Sequence, residues 1–360
     1  MPGVYISYPF CSQKCSFCNF ASGVSTPDAI ARYRTRLLEE VHSHDWQWRA
    51  ETAYFGGGTP SLMDPALLSD LLSALPRERL SEVTLECAPG TVTAERLALW
   101  SSVGIHRISL GVQSFITSEL RQTGRRHTAE TVHREVAALR NAGLSNINID
   151  LIAGLPGQTV ASWNESLDHI ARLAPPHVSV YIFEIDEDSR LGKEALLGGI
   201  RYGAALLPSD DLTAELYERA VGRLAQIGIH RYEISNFARP GFESRHNLKY
   251  WQLEPYIGFG LDAHSFDGLR RWSNPDSLEA YLAPEVAPET TESNLDEETF
   301  FVGLRLSRGI EPTLAQWRKF AGPIERWRAA GMLEREGNRL RLSDRGVLVS
   351  NEIFQEFVHV

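Results

Sequence analysis

The stretch Val4-Tyr5-Ile6-Ser7-Tyr8-Pro9-Phe10-Cys11-Ser12-Gln13-Lys14-Cys15-Ser16-Phe17-Cys18 decides how this chain is read. Val4–Tyr8 is a short run rich in β-branched and aromatic residues, stopped by Pro9, and reads as a strand. Three of the chain's four cysteines follow it within eight residues, at Cys11, Cys15 and Cys18. A disulfide scaffold spreads its cysteines, so this clustering reads as a metal site in a reducing compartment, the cytoplasm. Three thiolates so close can hold three corners of an iron–sulfur cube and leave the fourth iron without a protein ligand. That open iron can bind a small molecule directly. The competing reading is structural zinc, which needs a fourth ligand to close its tetrahedron. The remaining cysteine, Cys87, stands far along the chain, beside Glu86 at the end of another strand-like run. Phe10, Phe17 and Phe20 flank the thiols and suit either a shield for a cluster or ordinary core packing.

Further strand-like runs recur at Thr52–Phe55, Glu82–Cys87, Arg107–Val112, Asn146–Ile152 and Val178–Ile185. Helical patterns with start and stop signals lie between them. Asp64-Pro65 opens one in which Leu67, Leu68, Leu71, Leu72 and Leu75 recur at helical spacing. Thr93, Thr128 and Thr159 stand as caps before three more, two of which end at Gly104 and Gly143. Strand and helix alternating at roughly 30-residue spacing is the pattern of βαβ units with right-handed crossovers. Six strands are too few to close an eight-stranded barrel. The expected fold is therefore α/β, a partial (β/α)6 TIM-type barrel with its active face at the C-terminal strand ends.

The alternation stops after about residue 186. Ser209–Gly228 reads as a helix, Arg231–Ser235 as a strand, Phe237–Asp267 as turn-rich, and Ala283–Asn294 as a proline- and acid-rich linker. Gly331–Leu342 reads as a hairpin turning at Gly337-Asn338. With helices around it, this hairpin suggests a small helical, winged-helix-like domain. The expected division is a barrel over 1–235, a connecting segment over 236–290 and the C-terminal domain over 291–360.

Composition narrows the partners. The 36 Lys and Arg against 46 Asp and Glu give a net charge of −10, and apolar residues make up 43% of the chain. An acidic chain is a poor binder of phosphate backbones. From Thr291 onward 10 basic face 11 acidic residues, so the winged-helix-like domain is not expected to bind nucleic acid. No run approaches the roughly 20 apolar residues of a membrane helix, and no secretory leader opens the chain.

Several strand ends carry ligand-type residues. Gly56-Gly57-Gly58-Thr59-Pro60 follows the second strand, where glycines let backbone approach a ligand. Glu86, Gln113, Arg125 and Asp150 stand at or just beyond the next three strands. Carboxylates suit ribose hydroxyls and an ammonium, and arginine suits a carboxylate. Singly, each reads as a capping or surface residue; together, at successive strand ends, they outline a site.

A CxxxCxxC after the first strand of a partial barrel resembles the radical S-adenosylmethionine (SAM) superfamily. That resemblance implies a [4Fe–4S] cluster held by Cys11, Cys15 and Cys18, with SAM chelating the open iron. An electron from the reduced cluster then cleaves SAM to a 5′-deoxyadenosyl radical. Within the superfamily the chain is similar, over nearly its whole length, to oxygen-independent coproporphyrinogen oxidases and their relatives. The similar blocks are Gly111-Val112-Gln113-Ser114, Gly124-Arg125-Arg126-His127 and Asp150-Leu151-Ile152-Ala153-Gly154-Leu155-Pro156-Gly157-Gln158-Thr159. By this likeness Tyr5, Gly57, Gly58, Thr59, Glu86, Gln113, Arg125 and Asp150 match SAM-contacting positions. Ala88, in Glu86-Cys87-Ala88-Pro89, departs from the usual Asn.

Three activities are compatible with that group: oxidative decarboxylation of coproporphyrinogen, haem binding and delivery by a chaperone, and haem degradation by a methyltransferase. The oxidases carry a further cysteine where this chain has Phe20, and a long extension where it has ten residues before Cys11. His246-Asn247-Leu248-Lys249-Tyr250-Trp251 resembles the HNxxYW motif of the haem chaperones. The likeness therefore implies haem bound through His246, Asn247, Tyr250 and Trp251, with His246, Tyr250 or another residue such as His264 on the iron. It also implies haem-receiving partner proteins of the respiratory type, met through transient contact with membrane proteins. From the residues alone, a His among aromatics reads equally as a packed, hydrogen-bonded core residue. The motif is expected on a loop that reaches over the barrel mouth.

Overall fold

The computed structural model describes residues 2–76, 80–283 and 289–358. Six parallel strands, Gly3–Tyr8 (β1), Thr52–Gly57 (β2), Glu82–Cys87 (β3), Arg107–Gln113 (β4), Asn146–Ala153 (β5) and His177–Ile182 (β6), pair in chain order. Helices Pro27–Ser43 (α1), Pro65–Ala74 (α2), Ala94–Val103 (α3), Thr117–Gln122 (α4), Ala129–Asn141 (α5) and Val160–Leu173 (α6) alternate with them. Side chains of Thr26, Asp64, Thr93, Thr128 and Thr159 accept backbone N–H bonds at the starts of α1, α2, α3, α5 and α6. Each satisfies donors that a helix start leaves orphaned.

Alternation along the strands sorts the side chains into two layers. Val4, Ile6, Phe55, Val83, Leu85, Ile108, Leu110, Ile147, Ile149, Val178 and Val180 are almost fully buried and form the core outside the strands. The opposite face carries Tyr5, Tyr54, Glu86, Ser109, Asn148, Asp150, His177 and Ser179, so the barrel interior is polar. Burying polar groups costs free energy unless they are bonded, and all of these but Tyr5, which stacks on Tyr54, are bonded within the set. Asn148 Nδ2 donates to Ser109 Oγ at 2.7 Å and to Ser179 Oγ at 3.0 Å, and His177 Nδ1 lies 2.6 Å from Asn148 Oδ1.

Beyond β6, Arg190–Leu196 (α7) and Asp210–Gln226 (α8) follow, the latter capped by Ser209. The expected single strand at Arg231–Ser235 is corrected: His230–Arg231 (β7) and Asn236–Ala238 (β8) form a hairpin, and β8 pairs antiparallel with β6. Buried Glu233 in its turn accepts from Ser235 N at 3.0 Å and Asn236 Nδ2 at 2.5 Å, which breaks the strand between them. The turn-rich stretch is also more ordered than its residues suggest. It holds Arg245–Trp251 (α9), Tyr256–Phe259 (β9) and His264–Phe266 (β10), with Arg270–Ser273 (β11) next. β9 pairs parallel with β1, so the described part of 236–290 is built into the sheet on both sides of the barrel strands.

Leu278–Leu282 (α10) precedes the expected linker, of which residues 284–288 lie outside the described residues. Its far end, Glu289–Glu292 (β12), pairs with β11 and forms one edge of an open twelve-stranded sheet among the described residues. Leu295–Phe301 (α11), Leu314–Lys319 (α12) and Ala321–Ala329 (α13) then precede Leu333–Glu336 (β13) and Arg339–Leu342 (β14), an antiparallel hairpin turning at Gly337-Asn338. Asp344–Leu348 (α14) and Ser350–Gln355 (α15) close the chain. Phe300, Phe320 and Phe357 form the core here, with ring centroids 4.4 to 5.6 Å apart. Among the described residues no helix is long and apolar enough to cross a membrane.

Candidate cofactor site at the barrel mouth

The Cys11–Cys18 loop leaves β1 at the C-terminal ends of the strands. The second strand's glycine turn clamps its root: Gly58 N donates to Tyr8 O at 2.8 Å, and Thr59 N to Phe10 O at 3.0 Å. A Cβ on Gly58 would fall 2.7 Å from the Pro9 carbonyl carbon, so only glycine fits there. Further along, Ser16 N donates to Thr123 O at 3.1 Å, and Leu191 N of α7 donates to Ser16 O at 2.8 Å. Cys11, Cys15 and Cys18 are free, partly exposed thiols. Burial pushes the Cys11 thiol up, partly offset by a hydrogen bond with Thr59, and the other two thiols push it further up.

Cys87 is different. It faces outward from β3 with the apolar core, 3% exposed, and burial raises its thiol strongly. Its Sγ lies 3.8 Å from the Leu85 carbonyl and also bonds with Ser61. It is no fourth ligand for the loop.

The other expected residues line the mouth. Tyr54 donates to Glu86 Oε1 at 2.9 Å, and its ring stacks on Tyr5 at 6.0 Å. Burial raises the Glu86 carboxyl to about 7, with the Tyr54 bond opposing and the Asp150 charge adding to the rise. Asp150 accepts from Asn148 Nδ2 at 2.7 Å and from Ser109 Oγ at 3.2 Å, and burial raises its carboxyl too. Gln113 ends β4 with φ +68°, a strained value for a side-chain-bearing residue, beside a register shift between β4 and β5. Arg125 Nη1 donates to Gly111 O at 2.6 Å, and its guanidinium lies 5.9 Å from the Phe17 ring centroid, tying β4 to the thiol loop.

Two buried atoms of this group, Gln113 Oε1 and Arg125 Nε, have no hydrogen-bond partner. Orphaned buried polar atoms call for an explanation. A zwitterionic ligand supplies one: an ammonium or hydroxyl for the amide oxygen, a carboxylate for the guanidinium, and ribose hydroxyls for Glu86 and Asp150. The donor set thus fits SAM, and three thiols on one loop beside it fit a cluster with an open iron. Tyr54, Ser109, Asn148 and Ser179 hold these residues and were not singled out from the sequence. The alternation in Asn146-Ile147-Asn148-Ile149-Asp150-Leu151 is the signal that marks the inward positions. Gln158 closes the turn after β5, its Oε1 accepting from Gly154 N at 2.6 Å.

The HNxxYW stretch lies elsewhere, and the expectation of a loop over the mouth is corrected. It forms α9 at the opposite end, beneath the first residues of β1 to β3. Glu82, the first residue of β3, accepts from His246 N at 3.1 Å and Arg245 N at 3.3 Å, which pins the helix start to the barrel floor. His246 is 1% exposed, with Nδ1 2.9 Å from Thr52 Oγ1 and Nε2 2.7 Å from the Tyr250 hydroxyl. Burial, with the Lys249 charge, holds it neutral, down at about 3. Both ring nitrogens are engaged, so this arrangement presents none to a haem iron. Asn247 serves the helix cap, its N–H donating to Ser244 Oγ at 3.3 Å. Trp251 faces the C-terminal domain, with the Arg305 guanidinium 4.4 Å from its ring. His264 is exposed at the start of β10, 3.7 Å from Asp262.

A partial barrel of parallel strands, three thiols after β1 and orphaned polar atoms at the mouth together define a radical SAM protein. Sequence comparison agrees: the profile of the radical SAM superfamily matches residues 5–170, and that of the HemN C-terminal domain matches residues 291–349. The heme chaperone HemW of Lactococcus lactis is 33% identical over 98% of this chain and 96% of its own length. That of Bacillus subtilis is 31% identical over 99% of both chains. The solved structure of coproporphyrinogen III oxidase (HemN) from Escherichia coli superposes with a TM-score of 0.84 at 21% identity, covering 99% of this chain and 90% of that one. The chain belongs to the HemW family of HemN-like radical SAM proteins.

Proposed function

We propose that this chain is a haem chaperone of the radical SAM type, which binds haem and hands it to a haem-receiving protein. The observation that carries this reading is the end-to-end match to relatives named heme chaperones, across barrel and C-terminal domain alike. Cys11, Cys15 and Cys18 would hold a [4Fe–4S] cluster. Tyr5, Gly57, Gly58, Thr59, Glu86, Gln113, Arg125 and Asp150 would hold SAM. When bound, the cluster supplies an open iron for SAM and an electron to it. The chain's own part is placement: the Gly58 clamp sets the loop, Arg125 faces carboxylate, and Glu86 and Asp150 accept from hydroxyls.

Of the four HNxxYW residues expected at haem, Trp251 alone lines a cleft of about 490 Å³, between α9 and the C-terminal domain. Leu253, Leu306 and Ile310 offer it an apolar wall, and Arg308 and Arg339 are its cations for propionates, the latter bonded to Glu311 at 2.8 Å. The proposed setting is the cytoplasm, with respiratory haemoproteins as recipients. The test is a haem titration followed by transfer to an apo-haemoprotein, beside an anaerobic incubation with coproporphyrinogen III, SAM and reductant. Stoichiometric haem uptake and transfer are expected. Formation of protoporphyrinogen, or no haem uptake, overturns the reading.

A further inference from the structure

Neither nitrogen of His246 faces a cavity, yet the residue occupies a costly place. A neutral imidazole is sealed into the barrel floor, with two side-chain partners and a carboxylate-capped helix start. Gly3 makes room for it: a Cβ there would fall 3.1 Å from His246 Cε1. The ring it touches inside the barrel is Tyr54, centroids 5.2 Å apart and tilted by 30°. Tyr54 in turn packs on Tyr5 and donates to Glu86. Gly56 is needed beside the pair, since a Cβ there would fall 2.9 Å from Tyr5 Oη and 3.0 Å from Tyr54 Cε1.

A column therefore runs the depth of the barrel, from Tyr250 through His246 and Tyr54 to Glu86. A second runs beside it. Asp150 is bonded to Asn148, Asn148 to His177, and His177 Nε2 lies 2.9 Å from the Tyr232 hydroxyl, which accepts from Ser244 N at 3.2 Å. Both mouth carboxylates are thus connected to the start of α9. In close-packed interiors such contacts fix rotamers, because neighbouring side chains leave no room for alternatives.

We infer that His246 is a positioning residue for the SAM chamber: through Tyr54 it holds Glu86 at the geometry that receives the ligand. The inference rests on the radical SAM reading of the mouth. It assigns the motif helix to the chamber floor, a role separate from haem.

Calorimetric SAM titration of anaerobically reconstituted protein, at matched iron content, tests it. His246→Ala and Tyr54→Phe are each expected to weaken SAM binding roughly tenfold. Because they act along one path, the double variant is expected to lose no more than the larger single loss. His246→Gln, whose amide can still meet Thr52 and Tyr250, is expected to recover most of the affinity. Should His246→Ala fail to fold, Thr52→Val removes one partner of the ring and is expected to weaken SAM several-fold. Additive losses, or wild-type affinity in His246→Ala or in Thr52→Val, overturn the inference while leaving the SAM site in place. A wild-type protein with full iron that binds no SAM overturns the radical SAM reading, and this inference with it.

Discussion

Replacing Gly58 by alanine perturbs the root of the thiol loop with a single methyl group. The new Cβ would meet the backbone of one neighbouring stretch, at 2.7 Å from Pro9 C and 2.9 Å from Phe10 N and O. Contacts between carbon atoms settle at about 3.5–4.0 Å, so the two backbones must part by roughly 0.8 Å or more. That stretches the Gly58 N to Tyr8 O and Thr59 N to Phe10 O bonds, now 2.8 and 3.0 Å, to about 3.5 Å or more. Two lost backbone bonds cost about 1–3 kcal/mol, and overpacking adds about 1–3 kcal/mol. The strain falls on Phe10, next to Cys11. The expected result is a fall in iron bound per chain and in denaturation midpoint. Gly23→Ala is the control. Gly23 pairs with the same segment through Gly23 N to Pro9 O, at 2.9 Å, yet its Cβ would meet nothing within 4 Å. Wild-type iron content and stability in Gly58→Ala, or equal losses in both variants, would refute the clamp.

Four further outcomes follow. Glu86 is held at about 7, so its anion becomes the main form only above that pH; SAM affinity measured from pH 6 to 8.5 is expected to rise through about 7 and then level off. The same shift works against stability at alkaline pH: a carboxyl raised from 4.5 stabilises the fold fully below 4.5 and loses that contribution as pH rises through about 7. Gln113→Ala and Asp150→Ala each remove a polar contact of about 1–3 kcal/mol, roughly 5- to 150-fold in SAM affinity, at unchanged iron; calorimetry showing wild-type affinity in both would mean the mouth has been misread. Cys87→Ala is expected to keep the cluster absorbance and to cost only core packing, whereas alanine at Cys11, Cys15 or Cys18 is expected to abolish that absorbance.

The barrel was legible because its strands are short, apolar on one face and bracketed by caps whose chemistry is local. Thr93, Thr128 and Thr159 each cap the helix that follows. Local signals also placed Cys11, Gly58, Gln113 and Asp150 at one end, since every strand of a parallel barrel points the same way. What depends on distant partners was not legible. Tyr256-Ile257-Gly258-Phe259 is a short run in a glycine-rich stretch, and it becomes a strand only because β1 offers it an edge. Gly258 packs so tightly that a Cβ would fall 2.4 Å from His264 O. His246 reads as a loop residue in the sequence because three of its four anchors, Thr52, Glu82 and Tyr54, lie more than 150 residues away. The polar interior was visible as alternation, yet nothing local separates Asn148 in a barrel from a solvated strand face.

The Cys11–Cys18 loop and the residues facing it are expected to form one chamber for a cluster with an open iron and for SAM. Electron paramagnetic resonance of the reduced, anaerobically reconstituted protein, with and without SAM, reads that chamber out. A [4Fe–4S]⁺ signal that changes shape when SAM is added is expected, with that change shifted to higher SAM concentration in Gln113→Ala. A signal indifferent to SAM, or a wild-type protein that takes up zinc and no iron–sulfur cluster, would contradict it.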